Sequence, residues 1–276
     1  MQNSLTASLG TIGATQVRFL SGLPFAVLFP IVIVTVTGSG VPAANARFLA
    51  FTASGAVAQI FGTVLLLAAM RERSFSVATA FTKTEAVQVA VFGLLILGDH
   101  LSFVRAGAIV VATAGVFLIA VKAGETWDAQ SLRPALYGVA SGGLYAIAAI
   151  GFRGGILALE DGAYFIRATT TLVWSLAFQT LLLGTWMVAF DRAGLRKSFA
   201  LWRQSLFAGF MGAFASQFWF LGFSLTAAAN VRTLGLIEVL FAQAVSRRVF
   251  SQHASARELS GMALVLAGVA ALLLSQ

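Results

Sequence analysis

The stretch that decides the fold is Thr84–Val116, TEAVQVAVFGLLILGDHLSFVRAGAIVVATAGV, because it recurs later in the chain without a gap. The second copy is Ile237–Val269, IEVLFAQAVSRRVFSQHASARELSGMALVLAGV, and six of the 33 aligned positions are identical. Each copy carries one glutamate, Glu85 or Glu238, at the same place in an apolar run. Two further fragments recur in the same order, which indicates an internal duplication: Arg18 and Leu23 return as Arg167 and Leu172, and Gly55, Ala56, Ala58 and Phe61 return as Gly212, Ala213, Ala215 and Phe218.

The composition of the 276 residues places these repeats in a membrane. Hydrophobic residues make up 59% of the chain, charged residues only 10%, and the mean hydropathy is +0.90, so the apolar surface exceeds what a water-soluble domain can bury. The net charge of +8 comes from basic residues that lie between apolar runs and form no continuous stripe. This charge therefore indicates membrane topology, and we expect no nucleic-acid partner. The absence of cysteine excludes disulfides and thiolate metal sites.

Nine apolar runs are long enough to cross a bilayer as helices, which needs about 20 residues each. Their hydrophobicity is continuous rather than alternating, and this favours helices over a β-barrel. The predicted spans are Leu20–Thr37, Phe48–Met70, Phe75–Leu97, Phe103–Val121, Ala135–Leu159, Thr169–Phe190, Leu206–Leu225, Val231–Phe250 and Leu259–Leu274.

The duplication divides these spans into two repeats. Residues 1–122 hold four spans and lack a counterpart of the first helix in residues 133–276, which hold five. We expect a start that lies too far downstream rather than a natural nine-helix form. A half with five spans reverses direction in the membrane, so the predicted fold is an all-α polytopic bundle with an inverted-topology repeat, as in secondary transporters. Small residues such as Gly115, and Gly138 with Gly142, are expected to let helices pack closely.

Short motifs at the helix ends resemble a known family. The sequence Leu97-Gly98-Asp99-His100-Leu101-Ser102 closes the helix that carries Glu85, and Ser251-Gln252-His253-Ala254-Ser255 stands at the corresponding place. Together with Gly115-Val116 and Gly268-Val269, they resemble the drug/metabolite transporter superfamily in its EamA-domain form. Arg18 resembles the arginine that opens the family's second helix.

The resemblance implies ten helices arranged 5+5 and export of amino acids, nucleobases, related metabolites or cationic drugs. The chain departs from the family at Gln252, where an acid is common. It also departs at Ala86 and Val239, where a proline often follows the glutamate. The sequence therefore lacks the proline that would produce a helix kink at these positions.

Charged residues inside the predicted spans are the first candidates for function. An ionised group at the bilayer centre costs about 2.5 to 3.5 kcal/mol on insertion scales, so Glu85, Glu238 and Lys83 must face a cavity or a partner. Lys83 and Glu85 lie on opposed faces of one helix and cannot readily neutralise each other. Repeat symmetry predicts the pairs Lys83 with Glu238 and Arg232 with Glu85. The alternative is that these ion pairs only orient helices and never meet a substrate.

Uncharged polar and aromatic residues complete the predicted site. The amides of Gln88, Gln59 and Gln217 could bind a polar solute or could merely fasten neighbouring helices. Tyr145 and Trp219 could stack on a planar or cationic ligand or could serve only packing. His100 and His253 lack acid or cysteine neighbours at metal spacing, so we expect no metal and no cofactor.

These observations predict a secondary active transporter, and not an enzyme, that exports a small polar metabolite or drug such as an amino acid by alternating access. A glutamate in a partly dry cavity could couple transport to protons. The alternatives are an intramembrane enzyme that uses Glu85 and Glu238 as acid and base on a lipid-like substrate, and a structural bundle. We expect a monomer or homodimer in the bacterial inner membrane. The charge distribution places the amino terminus in the cytoplasm, whereas the family resemblance implies the opposite orientation.

Overall fold

The computed structural model describes residues 2–72, 75–120, 129–200, 202–241 and 255–275, and the regular elements among these residues are helices, with no strand. The predicted all-α class is therefore confirmed. In chain order the helices are α1 (Gln2–Thr37), α2 (Ala46–Glu72), α3 (Phe75–Thr82), α4 (Glu85–Phe92), α5 (Phe103–Ala120), α6 (Ala129–Ala158), α7 (Tyr164–Phe190), α8 (Arg192–Ala200), α9 (Trp202–Leu225), α10 (Ala228–Leu234), α11 (residues 237–241, as far as described) and α12 (Ala256–Leu274). A π-helical turn, Gly93–Leu97, continues α4.

Six helices of the described chain are long and apolar enough to cross a membrane. They correspond to six of the nine predicted spans, and each begins earlier than predicted because polar or charged residues extend its amino-terminal end. The longest, α1, includes the polar segment before Thr15 as an extension of the first span. The six spans are Thr15–Thr37, Ala46–Met70, Arg133–Ala158, Tyr164–Phe190, Ser205–Leu225 and Ala256–Leu274.

The prediction of continuous helices at Phe75–Leu97 and Val231–Phe250 is wrong in the described residues. The first is divided into α3 and α4, and the second into α10 and α11, in both cases just before the glutamate. Residues 242–250 of the second lie outside the described chain. The predicted span Phe103–Val121 corresponds to α5, a helix of 18 residues.

The chain forms two compact units. Unit 1 contains Met1–Val64 and Ile147–Thr226, and unit 2 contains Leu65–Ala146 and Ala227–Gln276. Each unit therefore takes segments from both predicted repeats. The repeat boundaries themselves, 1–122 and 133–276, stay a prediction.

Glycine brings α5 and α12 together in unit 2. A Cβ atom added to Gly115 would lie 2.6 Å from the carbonyl oxygen of Gly261, and one added to Gly261 would lie 2.7 Å from the carbonyl oxygen of Gly115. This approach allows the two backbones to pack without side chains between them. The packing role predicted for Gly115 is thereby confirmed.

Candidate functional site

The first helix break lies at Lys83 and Thr84, between α3 and α4 of unit 2. The backbone N–H of Ala86 donates to the Lys83 carbonyl, and that of Val87 donates to the Thr84 carbonyl, so both hydrogen bonds reach back three residues instead of four. The Thr84 hydroxyl donates to the carbonyl of Phe81 at 2.7 Å, which competes with the regular helix bonds. Glu85 is consequently the first residue of a new helix, where the helix dipole favours a negative charge.

The second break, between α10 and α11 in the same unit, has the same hydrogen-bond pattern. The N–H of Glu238 donates to the Gly235 carbonyl and that of Val239 donates to the Leu236 carbonyl, again three residues back. In the first copy the two donors are the first and second residues after the glutamate. In the second copy they are the glutamate itself and the residue after it, so the pattern begins one residue earlier. Neither break contains the proline that would explain a kink, since the residues that follow the two glutamates are Ala86 and Val239.

Two ion pairs join the broken helices. Arg232 Nε, on α10, lies 2.9 Å from Glu85 Oε1, on α4. Lys83, in the first break, pairs with Glu238 at the start of α11. Both pairs predicted from repeat symmetry are thus confirmed as contacts, and the four charges form a neutral cluster inside unit 2.

The two pairs differ in exposure. The side chain of Glu85 is 9% exposed and that of its partner Arg232 is 17% exposed. In the other pair Lys83 is 18% exposed, whereas the side chain of Glu238 is 55% exposed. One carboxylate is therefore enclosed with its cation, and the other is accessible from outside the protein.

Helix α6 supports the first break from the side. Gly142 faces the break so closely that an added Cβ atom would lie 2.7 Å from the carbonyl oxygen of Thr82. Gln88 Nε2 donates to Thr84 Oγ1 at 3.0 Å and to the Val139 carbonyl at 3.3 Å, which ties α4 to both the break and α6. Gln88 thus lies next to the charge cluster, where the structure uses its amide to fasten helices.

A second polar centre lies in unit 1. Gln179 on α7 donates from Nε2 to Gln59 Oε1 on α2 at 2.5 Å, and Gln217 on α9 donates from Nε2 to Thr169 Oγ1 on α7 at 2.8 Å. The oxygens Oε1 of Gln179 and Gln217 are buried, and neither has a hydrogen-bond partner among the described residues. Such acceptors are costly in an apolar interior, so they are suited to receive a donor from a bound solute.

A narrow cleft opens beside this centre. It is lined by Arg18, Gln59, Ser175 and Ser216 among apolar residues of α1, α2, α7 and α9. Its cavity volume of about 20 Å³ has room for one or two water molecules. Arg18 supplies the positive charge of this cleft.

The predicted aromatic residues Tyr145 and Trp219 belong to different units. Tyr145 is half-buried on α6 in unit 2, while Trp219 is half-buried on α9 in unit 1, with its ring centroid 6.3 Å from that of Phe223. Gln59, Gln217 and Trp219 thus belong to one unit, and Lys83, Glu85, Gln88, Tyr145, Arg232 and Glu238 to the other.

Sequence reasoning missed Gln179 and Arg153. Arg153 on α6 donates from its Nη1 to the carbonyls of Phe223 and Thr226, so a cation satisfies the carboxyl end of α9. A polar residue within a predicted span was the available signal in both cases. No group of three or more potential metal ligands occurs in the described residues, and His253 lies outside them.

The described residues form a helical membrane protein in which two helices are interrupted and polar side chains lie among the helices of each unit. Residues 1–121 match the model of the EamA-like transporter family, so the resemblance predicted from the sequence is confirmed over that part of the chain. This match supports a membrane transporter as the general class and fits a protein that is not an enzyme.

One solved crystal structure of another protein aligns with 99% of this chain and 90% of its own, with a TM-score of 0.72. Sequence identity is only 14%, so this likeness concerns the fold alone. No curated protein matches the chain significantly.

Proposed function

We propose that the chain is a secondary active transporter that exports a small polar metabolite or drug, such as an amino acid or an organic cation, by alternating access. The observation that carries this proposal is the pair of interrupted helices, α3–α4 and α10–α11, with a neutral cluster of two carboxylates and two cations at the breaks. Interrupted helices are where secondary transporters place substrate and coupling ions. The proposed location is the bacterial inner membrane.

The difference in exposure suggests different roles for the two glutamates. Glu238 is accessible and holds the ammonium of Lys83, so a substrate ammonium could take the place of Lys83 without leaving an unpaired charge. Glu85 is enclosed with Arg232, so this pair would fix the helices around the site. Removing a partner from an enclosed ion pair is costly, which makes Glu85 a poor exchange site.

Proton coupling would use the same accessible carboxylate. A carboxylate that gives up the substrate cation and binds a proton in its place would make flux follow the proton gradient. Acid–base catalysis on a lipid would require a protonated carboxyl beside an ionised one. In the structure each glutamate instead pairs with a cation, Glu85 with Arg232 and Glu238 with Lys83, and this arrangement supports cation exchange rather than such catalysis.

The amides of unit 1 form a second candidate site, for an uncharged polar group. Gln217 and Gln179 each have a buried oxygen that could accept a hydrogen bond from a solute, and Gln59 lines the adjacent cleft. The cleft must widen to admit more than water. Alternating access, which rearranges helices around a site, provides such a widening.

The test measures thermal unfolding of the purified chain with amino acids, nucleosides, sugars and organic cations. A ligand at 100 times its dissociation constant stabilises the folded state by about 2.7 kcal/mol when it does not bind the unfolded state. We expect at least one compound to raise the melting temperature, and Glu238→Gln to abolish the shift. The matched control is Glu160→Gln, which neutralises an exposed acid in the connection between α6 and α7 and should retain the shift.

Proteoliposome uptake of the stabilising compound then separates transport from binding. Accumulation that responds to an imposed pH gradient supports proton coupling, and accumulation driven only by exchange supports an uncoupled exchanger. A compound that binds but is never moved across the bilayer would contradict the proposal.

A further inference from the structure

The segment between α7 and α9 forms a separate basic helix. Asp191 accepts a hydrogen bond from the N–H of Gly194 through Oδ1 at 2.9 Å and thereby caps the start of α8. Gly194 and Ser198, four residues apart, are buried and give the helix an inner face. The outer face carries Arg192, Arg196 and Lys197, all exposed.

The position of α8 follows from its neighbours in unit 1. Both α7 and α9 contain candidate membrane spans, Tyr164–Phe190 and Ser205–Leu225, so the short helix that joins them lies at one end of both. A polar helix of nine residues at this level cannot cross a bilayer. It therefore belongs at the membrane surface.

Exposed aromatic side chains mark the same level. Trp186 and Phe190 stand in the last turn of α7 with ring centroids 5.5 Å apart, and Trp202 begins α9. Arg203 places its guanidinium carbon 5.4 Å from the ring centroid of Trp202. Tryptophan beside exposed cations is typical of the layer where acyl chains meet headgroups.

We propose that α8 and the start of α9 form a binding surface for anionic phospholipid headgroups, and we call the exposed cations Arg192, Arg196, Lys197 and Arg203 the headgroup surface. The four cations outnumber the single carboxylate of Asp191, whose Oδ1 accepts the hydrogen bond that caps α8, so the surface keeps a net positive charge. Neither Arg196 nor Lys197 makes a hydrogen bond or ion pair to another described residue, so both are available to phosphate oxygens. Arg192 is anchored by donating from Nε to the Val188 carbonyl at 2.8 Å. The positive charge of the headgroup surface complements the anionic phosphate groups of phosphatidylglycerol and cardiolipin, which identifies anionic phospholipids as the ligand.

The test uses Trp202 as a probe within the surface. The chain is reconstituted in bilayers of phosphatidylcholine that contain about one phosphatidylglycerol in five lipids. Two preparations are compared: in one the phosphatidylglycerol carries the bromine label, and in the other the phosphatidylcholine carries it. The difference in fluorescence between the unchanged chain and Trp202→Phe gives the quenching of this one residue. We expect brominated phosphatidylglycerol to quench Trp202 several-fold more, per mole of labelled lipid, than brominated phosphatidylcholine.

Charge variants decide whether the headgroup surface causes this enrichment. Arg196→Gln/Lys197→Gln should remove most of it, since each basic residue near an anionic membrane contributes about five-fold in affinity. Arg196→Lys keeps the charge and should retain the enrichment, and Arg47→Gln, an exposed cation at the start of α2, should also retain it. Equal quenching by both lipids, or enrichment that persists in the double variant, would overturn the proposal. Neither result depends on transport.

Discussion

Arg232 Nε lies 2.9 Å from Glu85 Oε1 although the two residues are far apart in the sequence, and both side chains are largely enclosed. The contact connects the two interrupted helices, because α10 carries the cation and α4 begins with the acid. Repeat symmetry alone had predicted it. Its energetic importance depends on enclosure, since the attraction between opposite charges is stronger when water is excluded.

We expect Arg232→Met to lower the free energy of unfolding by about 3 kcal/mol, because it leaves the enclosed Glu85 carboxylate without this cation. The double variant Arg232→Met/Glu85→Gln should recover at least half of the loss, since no charge is then left uncompensated. Denaturant unfolding of the unchanged chain, Arg232→Met, Glu85→Gln and the double variant in the same detergent gives the coupling energy. Additive losses would show that the two side chains do not stabilise each other.

The Lys83–Glu238 pair should behave differently. Glu238 is 55% exposed, and exposed pairs contribute about 0 to 1 kcal/mol, so Glu238→Gln should leave unfolding almost unchanged. Denaturant unfolding of Glu238→Gln and Arg232→Met under the same conditions compares the two pairs directly. A loss for Glu238→Gln as large as that for Arg232→Met would contradict the proposed division between a fixed pair and an exchangeable pair.

Removing Lys83 should tighten the binding of a cationic substrate. In the proposed exchange the substrate competes with the Lys83 ammonium for Glu238, so Lys83→Met removes the competitor. We expect the dissociation constant to fall by about five-fold, which corresponds to about 1 kcal/mol. Titration calorimetry measures this directly, and Arg47→Met serves as a control for the loss of one positive charge. Weaker binding in Lys83→Met would show that Lys83 contacts the substrate instead of competing with it.

Apolar runs and repeat alignment together predict the long helices and both ion pairs, but not the helix breaks. Lys83 is a good helix former, and no proline or glycine marks that break in the sequence. The interruption depends instead on the Thr84 hydroxyl, which bonds the Phe81 carbonyl, and on the approach of Gly142 from another helix. A contact between distant segments of the chain leaves no local pattern, which is why continuous helices were predicted there.

Gly142 should tolerate no side chain. A methyl group there would lie 2.7 Å from the Thr82 carbonyl oxygen, so α6 must move away from the break, and Gly142→Ala should cost about 1 to 3 kcal/mol. Gly107→Ala is the matched control, because no described atom beyond its own helix backbone and chain neighbours lies within 4 Å of its added Cβ, and the helix can accept alanine. Thermal unfolding of the two variants is compared. Equal melting temperatures would mean that α6 is not in close contact with the break.

Gln217 provides a test of whether the buried amides fasten helices or contact substrate. Its Nε2 donates to Thr169 Oγ1, so Gln217→Leu should cost about 1 kcal/mol by removing this hydrogen bond, while the Thr169 hydroxyl keeps its own hydrogen bond to the Phe165 carbonyl. Gln217→Leu/Thr169→Val removes both polar groups and should restore most of the stability. Ligand-induced stabilisation then gives the second measurement. If Gln217 only fastens α9 to α7, the double variant regains the ligand response together with its stability. If Gln217 also binds the substrate through its unpaired Oε1, the response stays lost in a stable protein, and that is the outcome we expect.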